Sequence, residues 1–173
     1  MVFRITMDQS LRALLDHISV TPSDQNQLAG IDPHIVKHYI ISETEAAIPK
    51  RDWKRWYALL EMSYFIEDEQ IQAETLGNLL LMPGHDRHQE ITRDIQDLGH
   101  PASIPYIGKM LETQYAFLTY TCSEDQVITK WFSHALADIG TPEAIAMMCK
   151  FALSPNRGIA RGMRYRLQRI RNR

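Results

Sequence analysis

The sequence predicts an all-α protein, a short α-solenoid of antiparallel helix pairs. Two observations carry that reading. First, Asp97-Leu98-Gly99-His100-Pro101-Ala102-Ser103-Ile104 returns 41 residues later as Asp138-Ile139-Gly140-Thr141-Pro142-Glu143-Ala144-Ile145. Each copy ends one apolar-periodic segment, turns on Gly and opens another at Pro, and periods of this size belong to helical units that cannot bury their apolar faces alone. Second, three segments share an apolar template at i, i+4, i+8 and i+11. They read Ile128, Phe132, Leu136, Ile139, then Ile159, Met163, Leu167, Ile170, and, with Arg87 in the first slot, Ile91, Ile95, Leu98.

Taken in order, Thr6-Met7-Asp8-Gln9 has the form of a capping box, and Leu11, Leu14, Leu15 and Ile18 behind it predict a helix over about 7–18. The polar run 21–30 is a loop. Asp32-Pro33 starts a second helix, Asp as N-cap and Pro at the first helical position, with Ile35, Val36, Tyr39 and Ile40 on one face until Pro49. A third, about 50–66, carries Trp53, Trp56, Tyr57, Leu60 and Tyr64 among Lys50, Arg51, Lys54 and Arg55. That mixture serves either as a core stripe with a solvated basic face or as a nucleic-acid grip. Glu67-Asp68-Glu69 opens a fourth helix, about 67–82, with Ala73, Leu76, Leu79 and Leu80 inward. Pro83-Gly84 ends it, and a fifth runs to Leu98.

Pro101 to Glu112 predicts the next helix, with Ile104, Ile107, Met110 and Leu111 inward and Pro105 tolerated in the first turn. Thr113 to Cys122, rich in Thr and aromatics, is the one place where a short extended segment fits. Ser123-Glu124-Asp125-Gln126 reads as a second capping box, leading a helix to Ile139. Thr141-Pro142 caps a helix through Leu153, and Ser154-Pro155 starts the last, ending near Ile170. The whole is one helical domain, residues 1–66 forming N-terminal helices and 67–173 the repeats.

Composition is that of an ordinary globular chain, 45% apolar and 23% charged. Charge is unevenly spread: acids against bases number 7 and 7 over residues 1–60, 12 and 4 over 61–130, and 2 and 8 over 131–173. No apolar run approaches the ~18 residues of a membrane span. Asp8 and Asp16 interrupt the first apolar pattern, unlike a signal peptide. Cys122 and Cys149 build neither a disulfide framework nor a zinc site, so a cytoplasmic setting is expected.

Phosphate-binding, zinc-hydrolase and serine-nucleophile motifs are all missing. His85 and His88, with Asp86 and Glu90 near, fall short of the three convergent ligands a metal requires. Cys122 with His134 is the remaining nucleophile-base combination, and a free Cys is more often a small buried hydrophobe. The expectation is a protein that is not an enzyme and uses no cofactor or metal.

At Leu98-Gly99-His100-Pro101-Ala102-Ser103-Ile104-Pro105 and Ile139-Gly140-Thr141-Pro142-Glu143-Ala144-Ile145 the chain resembles the HEAT-repeat family. The likeness covers about 85–170, departing from the family pattern where His100 and Thr141 replace the usual turn Asp and where 113–122 lengthens one repeat. It implies a HEAT-like solenoid with an N-terminal helical cap and a role in holding another macromolecule. Small helical-repeat chains of this kind resemble, more loosely, bacterial immunity proteins that neutralise a toxin by occlusion. The partner implied is therefore a protein, and the acidic 61–97 stretch suits a basic toxin domain such as a nuclease.

In stacked pairs the second helices line the concave face. Three sets step out of the core template in register: Glu90, Trp131 and Gly162; Arg93, His134 and Tyr165; Asp97, Asp138 and Arg169. The expected partner-binding residues are thus Glu90, Arg93, Asp97, Trp131, His134, Asp138, Tyr165 and Arg169, with the acidic Glu67, Asp68, Glu69 and Glu74 as a second patch. Two rival readings stand beside this one. A nucleic-acid-binding or DNA-glycosylase-like HEAT-type protein would draw on Trp53, Trp56, Asp52 and the seven Arg of 157–173. A scaffold or adaptor subunit would use the same surfaces without chemistry.

Overall fold

The structure, a computed structural model, describes residues 9–17, 28 and 30–172. Among them the regular elements are helical throughout: α1 Gln9–His17, α2 Pro33–Ala47, α3 Trp53–Ser63, α4 Glu69–Leu81, α5 His88–Leu98, α6 Ile104–Glu112, α7 Asp125–Ile139, α8 Pro142–Phe151 and α9 Arg157–Arg171, with 3-10 turns at Pro101–Ser103 and Thr119–Thr121. The chain divides into two compact units, 1–75 and 76–173. None of the described helices is long and apolar enough to cross a membrane.

In the first unit α2 packs on α3. Both begin at an aspartate cap: Asp32 accepts from the His34 N–H at 2.8 Å and Asp52 from the Arg55 N–H at 3.1 Å, each satisfying a donor the first turn leaves open. Trp56, Leu59, Leu60, Met62, Val36, Tyr39 and Ile40 form the core. The expected aromatic stripe of α3 is split, for Trp53 is exposed while Trp56 is fully covered. In α1 only Leu15 is buried and Leu14 faces outward, a correction to the face predicted there. Thr6–Asp8 of the expected first capping box, and Ile18, lie outside the described residues.

Tyr39 ties this unit together through polar bonds. Its hydroxyl donates to Asp16, and Arg55 donates to both Tyr39 and Asp16, the latter at 3.0 Å. Burial, reinforced by the bond to Asp16, pushes the phenol well above its ordinary pKa. In α4, Asp68 accepts from the Ile71 N–H at 2.9 Å. It is the N-cap of that helix, exposed at the surface with one carboxylate oxygen engaged.

In the second unit α7 contacts α5 and α9, and α8 contacts α6, α7 and α9. The repeated turn is realised twice in the same form. Gly99 (φ 63°) and Gly140 (φ 67°) end α5 and α7 in the left-handed conformation. Their N–H groups return to Ile95 O and Leu136 O, both at 3.1 Å, and a side chain would be strained at that φ. Thr141 then caps α8 by accepting from the Ala144 N–H. His100 substitutes for the usual carboxylate by accepting from the Ala102 N–H through Nδ1, and a 3-10 turn, Pro101–Ser103, precedes α6.

Three expectations in this unit are corrected. Thr113–Cys122 is a succession of turns with one 3-10 turn, not an extended segment, because Gln114 (φ 50°), Tyr115 (φ 63°) and Cys122 (φ 50°) all adopt the left-handed region. The Ser123 hydroxyl donates back to Thr121 O at 3.3 Å, so α7 begins after Glu124 without a side-chain cap. The last helix is capped by Asn156, whose Oδ1 accepts from the Gly158 and Ile159 N–H groups, rather than started by Ser154-Pro155. Consistent with that, α8 ends at Phe151 and Leu153 is 83% exposed.

The turn segment earns its place by supplying two hydroxyls to equivalent positions of adjacent helices. His88 in α5 and Thr129 in α7 occupy the same slot of the template, and both are buried. Tyr120 OH lies 3.0 Å from His88 Nδ1, and Tyr115 OH lies 2.9 Å from Thr129 Oγ1. Tyr115 also stacks on Phe132, with centroids 5.6 Å apart and planes 14° from parallel. Burial raises the pKa of both phenols.

Candidate functional site

Helices α5 and α7 lie side by side because each presents its apolar template inward, with Ile91, Ile95, Ile128, Phe132, Leu136 and Ile139 all buried. The rows just outside those templates then face one another. They form a groove of about 410 Å³ lined by Gln89, Thr92, Arg93, Gln96 and Asp97 of α5 and by Lys130, Trp131 and His134 of α7. Four of the expected binding residues, Arg93, Asp97, Trp131 and His134, are therefore brought together.

The others fall elsewhere. Asp138 accepts from Gln96 Nε2 at 2.6 Å, a bond that links the two helices. Glu90 pairs with Arg87 at 2.6 Å on the exposed side of α5. Tyr165 is 58% exposed on α9, and Arg169 is exposed on the same helix. At the position equivalent to Trp131, Gly162 is buried against α7: a Cβ there would stand 2.6 Å from Thr129 Cγ2. One turn earlier Gly158 meets the Asp125 Cβ in the same way, at 2.7 Å. Two glycines four apart thus let α9 approach α7 closely, so this stretch of α9 cannot extend the groove with a large side chain.

Sequence reasoning missed Gln89, Thr92, Gln96, Lys130 and Arg166. The first three continue the i, i+3, i+7 row that Arg93 and Asp97 flank, and were legible as a stripe. Arg166 was not, since its role depends on how closely α9 docks. Its guanidinium donates to His134 Nε2, which makes that nitrogen the acceptor of a neutral imidazole. Burial, then the positive charge of Arg166, lowers the His134 pKa.

The acidic patch is less available than its sequence promised. Glu74 pairs with Lys37, whose bond holds the carboxyl below its ordinary pKa, and Asp68 caps α4. Glu67 and Asp68 line a smaller cavity of about 280 Å³ with Leu28, Ile31, Val36 and Ile66. Glu67 and Glu69 remain exposed.

Possible reactive groups are occupied in structural roles. His85 and His88 stack with centroids 3.9 Å apart. Their Nε2 atoms lie 3.0 Å from Leu79 O and Met82 O at the C-terminal end of α4, where Leu79 O also accepts from the Met82 N–H at 3.1 Å. Arg87 N donates to His85 Nδ1, and Tyr120 OH is in bonding range of His88 Nδ1. With both nitrogens of each ring committed, the pair closes a helix end. Burial lowers the pKa of both, His88 to about 3. Cys122 Sγ points to Tyr120 O at 3.9 Å, and no hydrogen bond joins it to His134 among the described residues. Nor do the described residues contain a cluster of three metal-ligating side chains. Of the glycosylase-like set, Trp56 is buried and Asp52 is a helix cap.

Among the described residues the regular structure is helical, and α5 and α7 line a cleft that combines polar side chains with Trp131. No protein-family model, curated protein or solved structure matches it.

Proposed function

We propose that this chain is a non-catalytic protein-binding module, a short HEAT-like run of antiparallel helix pairs whose α5–α7 groove receives a partner. In this reading it is a cytoplasmic immunity protein that neutralises a cognate toxin by occluding it. The observation that carries the proposal is Trp131. It stands partly exposed in a groove between Arg93 and Asp97 on one helix and Lys130 and His134 on the other. A large rigid aromatic among charges is the composition that anchors protein interfaces. The bonds that fix the walls, Gln96 to Asp138 and Arg166 to His134, mean little ordering is left to be done on binding.

The groove carries both signs of charge, while Glu67 and Glu69 offer a separate acidic surface for a basic partner. Combining Trp131→Ala with His134→Ala is expected to weaken partner binding by at least ~2 kcal/mol, about thirtyfold, with helical circular dichroism unchanged. The measurement is titration of the wild-type and doubly substituted proteins against the partner recovered with the wild type, and co-expression with that partner reports neutralisation. Equal affinity of a folded double variant rules the groove out as the binding site.

A further inference from the structure

The exposed side of α9 has no part in the groove and carries a charge its own helix does not favour. Arg157, Arg161, Arg164, Arg169 and Arg171 are all exposed on it, and α9 contains no acidic residue. Arg164 has a structural task, donating through Nε to Ala152 O at the end of α8 at 2.9 Å. The other four make no ion pair among the described residues.

Helix electrostatics account for only half of them. Arg169 and Arg171 lie in the last turn, where cations complement the dipole. Arg157 is the first residue of the helix, where a cation opposes it, and Arg161 follows at i+4, a like-charge spacing that destabilises a helix. Asp125, which lies against Gly158, accepts from Asn156 Nδ2 at 2.6 Å and forms no ion pair with Arg157 or Arg161. The N-terminal half of the ridge therefore has neither a helix-dipole role nor an ion-pair partner among the described residues. From Arg157 to Arg171 it extends 14 rises of roughly 1.5 Å, about 21 Å. Tyr165 projects from its middle, 58% exposed.

We propose that this face of α9 binds the phosphodiester backbone of single-stranded nucleic acid, with Tyr165 as a stacking platform. A ridge of one sign fits a partner of uniformly opposite charge, as a polyphosphate backbone is and a mixed protein surface is not. Guanidinium forks match phosphate oxygens in pairs, and an exposed aromatic between cations is what unpaired bases stack upon.

The test is fluorescence anisotropy with a labelled oligothymidine of roughly 16 nucleotides. Binding is expected to weaken with salt along a log–log slope of about −2 to −3, for three to four neutralised phosphates on a single strand. Replacing Arg157, Arg161 and Arg169 by Gln is expected to reduce affinity at least about tenfold at low salt, and Tyr165→Phe to preserve affinity where Tyr165→Ala loses about fivefold. Circular dichroism checks that each variant keeps its helices. The proposal is overturned if the oligonucleotide does not bind, or if Lys50→Gln with Lys54→Gln weakens it as much as the α9 triple variant. Equal binding by a polyglutamate of the same charge shows an acidic protein as the partner instead, and tighter binding of a duplex removes the stacking role.

Discussion

Helices α7 and α9 carry the same apolar template and meet different surroundings. In α7, Ile128, Phe132, Leu136 and Ile139 are all buried, because α5 lies on one side and α9 on the other. In α9, Ile159 and Met163 are buried while Leu167 and Ile170 are only half-buried. The slot filled by Thr129 in α7, and bonded there to Tyr115, holds Ala160 in α9. Where α7 shows Trp131 to the groove, α9 has Gly162 pressed against its neighbour. A repeat pattern specifies which face is apolar. How deeply that face is buried depends on how many neighbours the helix has.

The largest expected effects fall on α7. Phe132→Ala and Leu136→Ala are each expected to lower unfolding stability by about 2–5 kcal/mol, read from urea midpoints, whereas Leu167→Ala costs about 1 kcal/mol because its side chain already meets water. Equal losses at Leu136 and Leu167 would mean that α9 is as fully enclosed in solution as α7. Next, Gly162→Ala is expected to cost about 1–3 kcal/mol by forcing α9 off Thr129. Thr129→Ser, which removes the methyl that the new Cβ meets, should recover part of that loss in the double variant.

The polar slot gives a third contrast, since α5 holds His88 where α9 holds Ala160. Burial depresses the folded His88 pKa from the ordinary imidazole value of about 6.5 to about 3, so between those values the unfolded chain binds the extra proton. Its contribution is complete above about 6.5 and is lost as pH falls. From about pH 7 to about pH 5 the loss amounts to about 2 kcal/mol, and His85, whose pKa is shifted the same way, adds to it. Denaturant midpoints across that range should fall for the wild type and stay flatter in His88→Leu. The smallest effects separate the arginines of α9. Arg164→Gln removes the bond to Ala152 O and is expected to cost about 1 kcal/mol, while Arg157→Gln leaves stability unchanged or raises it by a few tenths, about 0.3 kcal/mol, by relieving the dipole.

Most of this fold was legible where a helix begins or ends on local chemistry. Asp32-Pro33, Gly99, Thr141-Pro142 and Gly140 fix boundaries through caps and left-handed glycines that need no distant partner. The segment 113–122 was not legible, because Gln114, Tyr115 and Cys122 take the left-handed conformation without being glycine. What holds them is tertiary: Tyr115 and Tyr120 reach polar positions on two separate helices. The cap at Asn156 was not legible for a similar reason. Ser154 and Asn156 can both cap, and the second bond of Asn156, to Asp125 on α7, is invisible in sequence. At the groove the pattern gave the rows of α5 and α7. It placed Tyr165 and Arg169 beside them because it could not show that Gly158 and Gly162 draw α9 inward.

That docking has a consequence for the order in which the chain is made. The α7 helix leaves the ribosome before the first residue of α9, so the strip around Thr129, against which Gly162 packs, is uncovered for that interval. Arg157–Arg171 acts as a late-arriving stopper for it. Chains interrupted between Leu153 and Arg157 present that strip to the solvent, and to each other, and are the ones expected to recruit chaperones or aggregate.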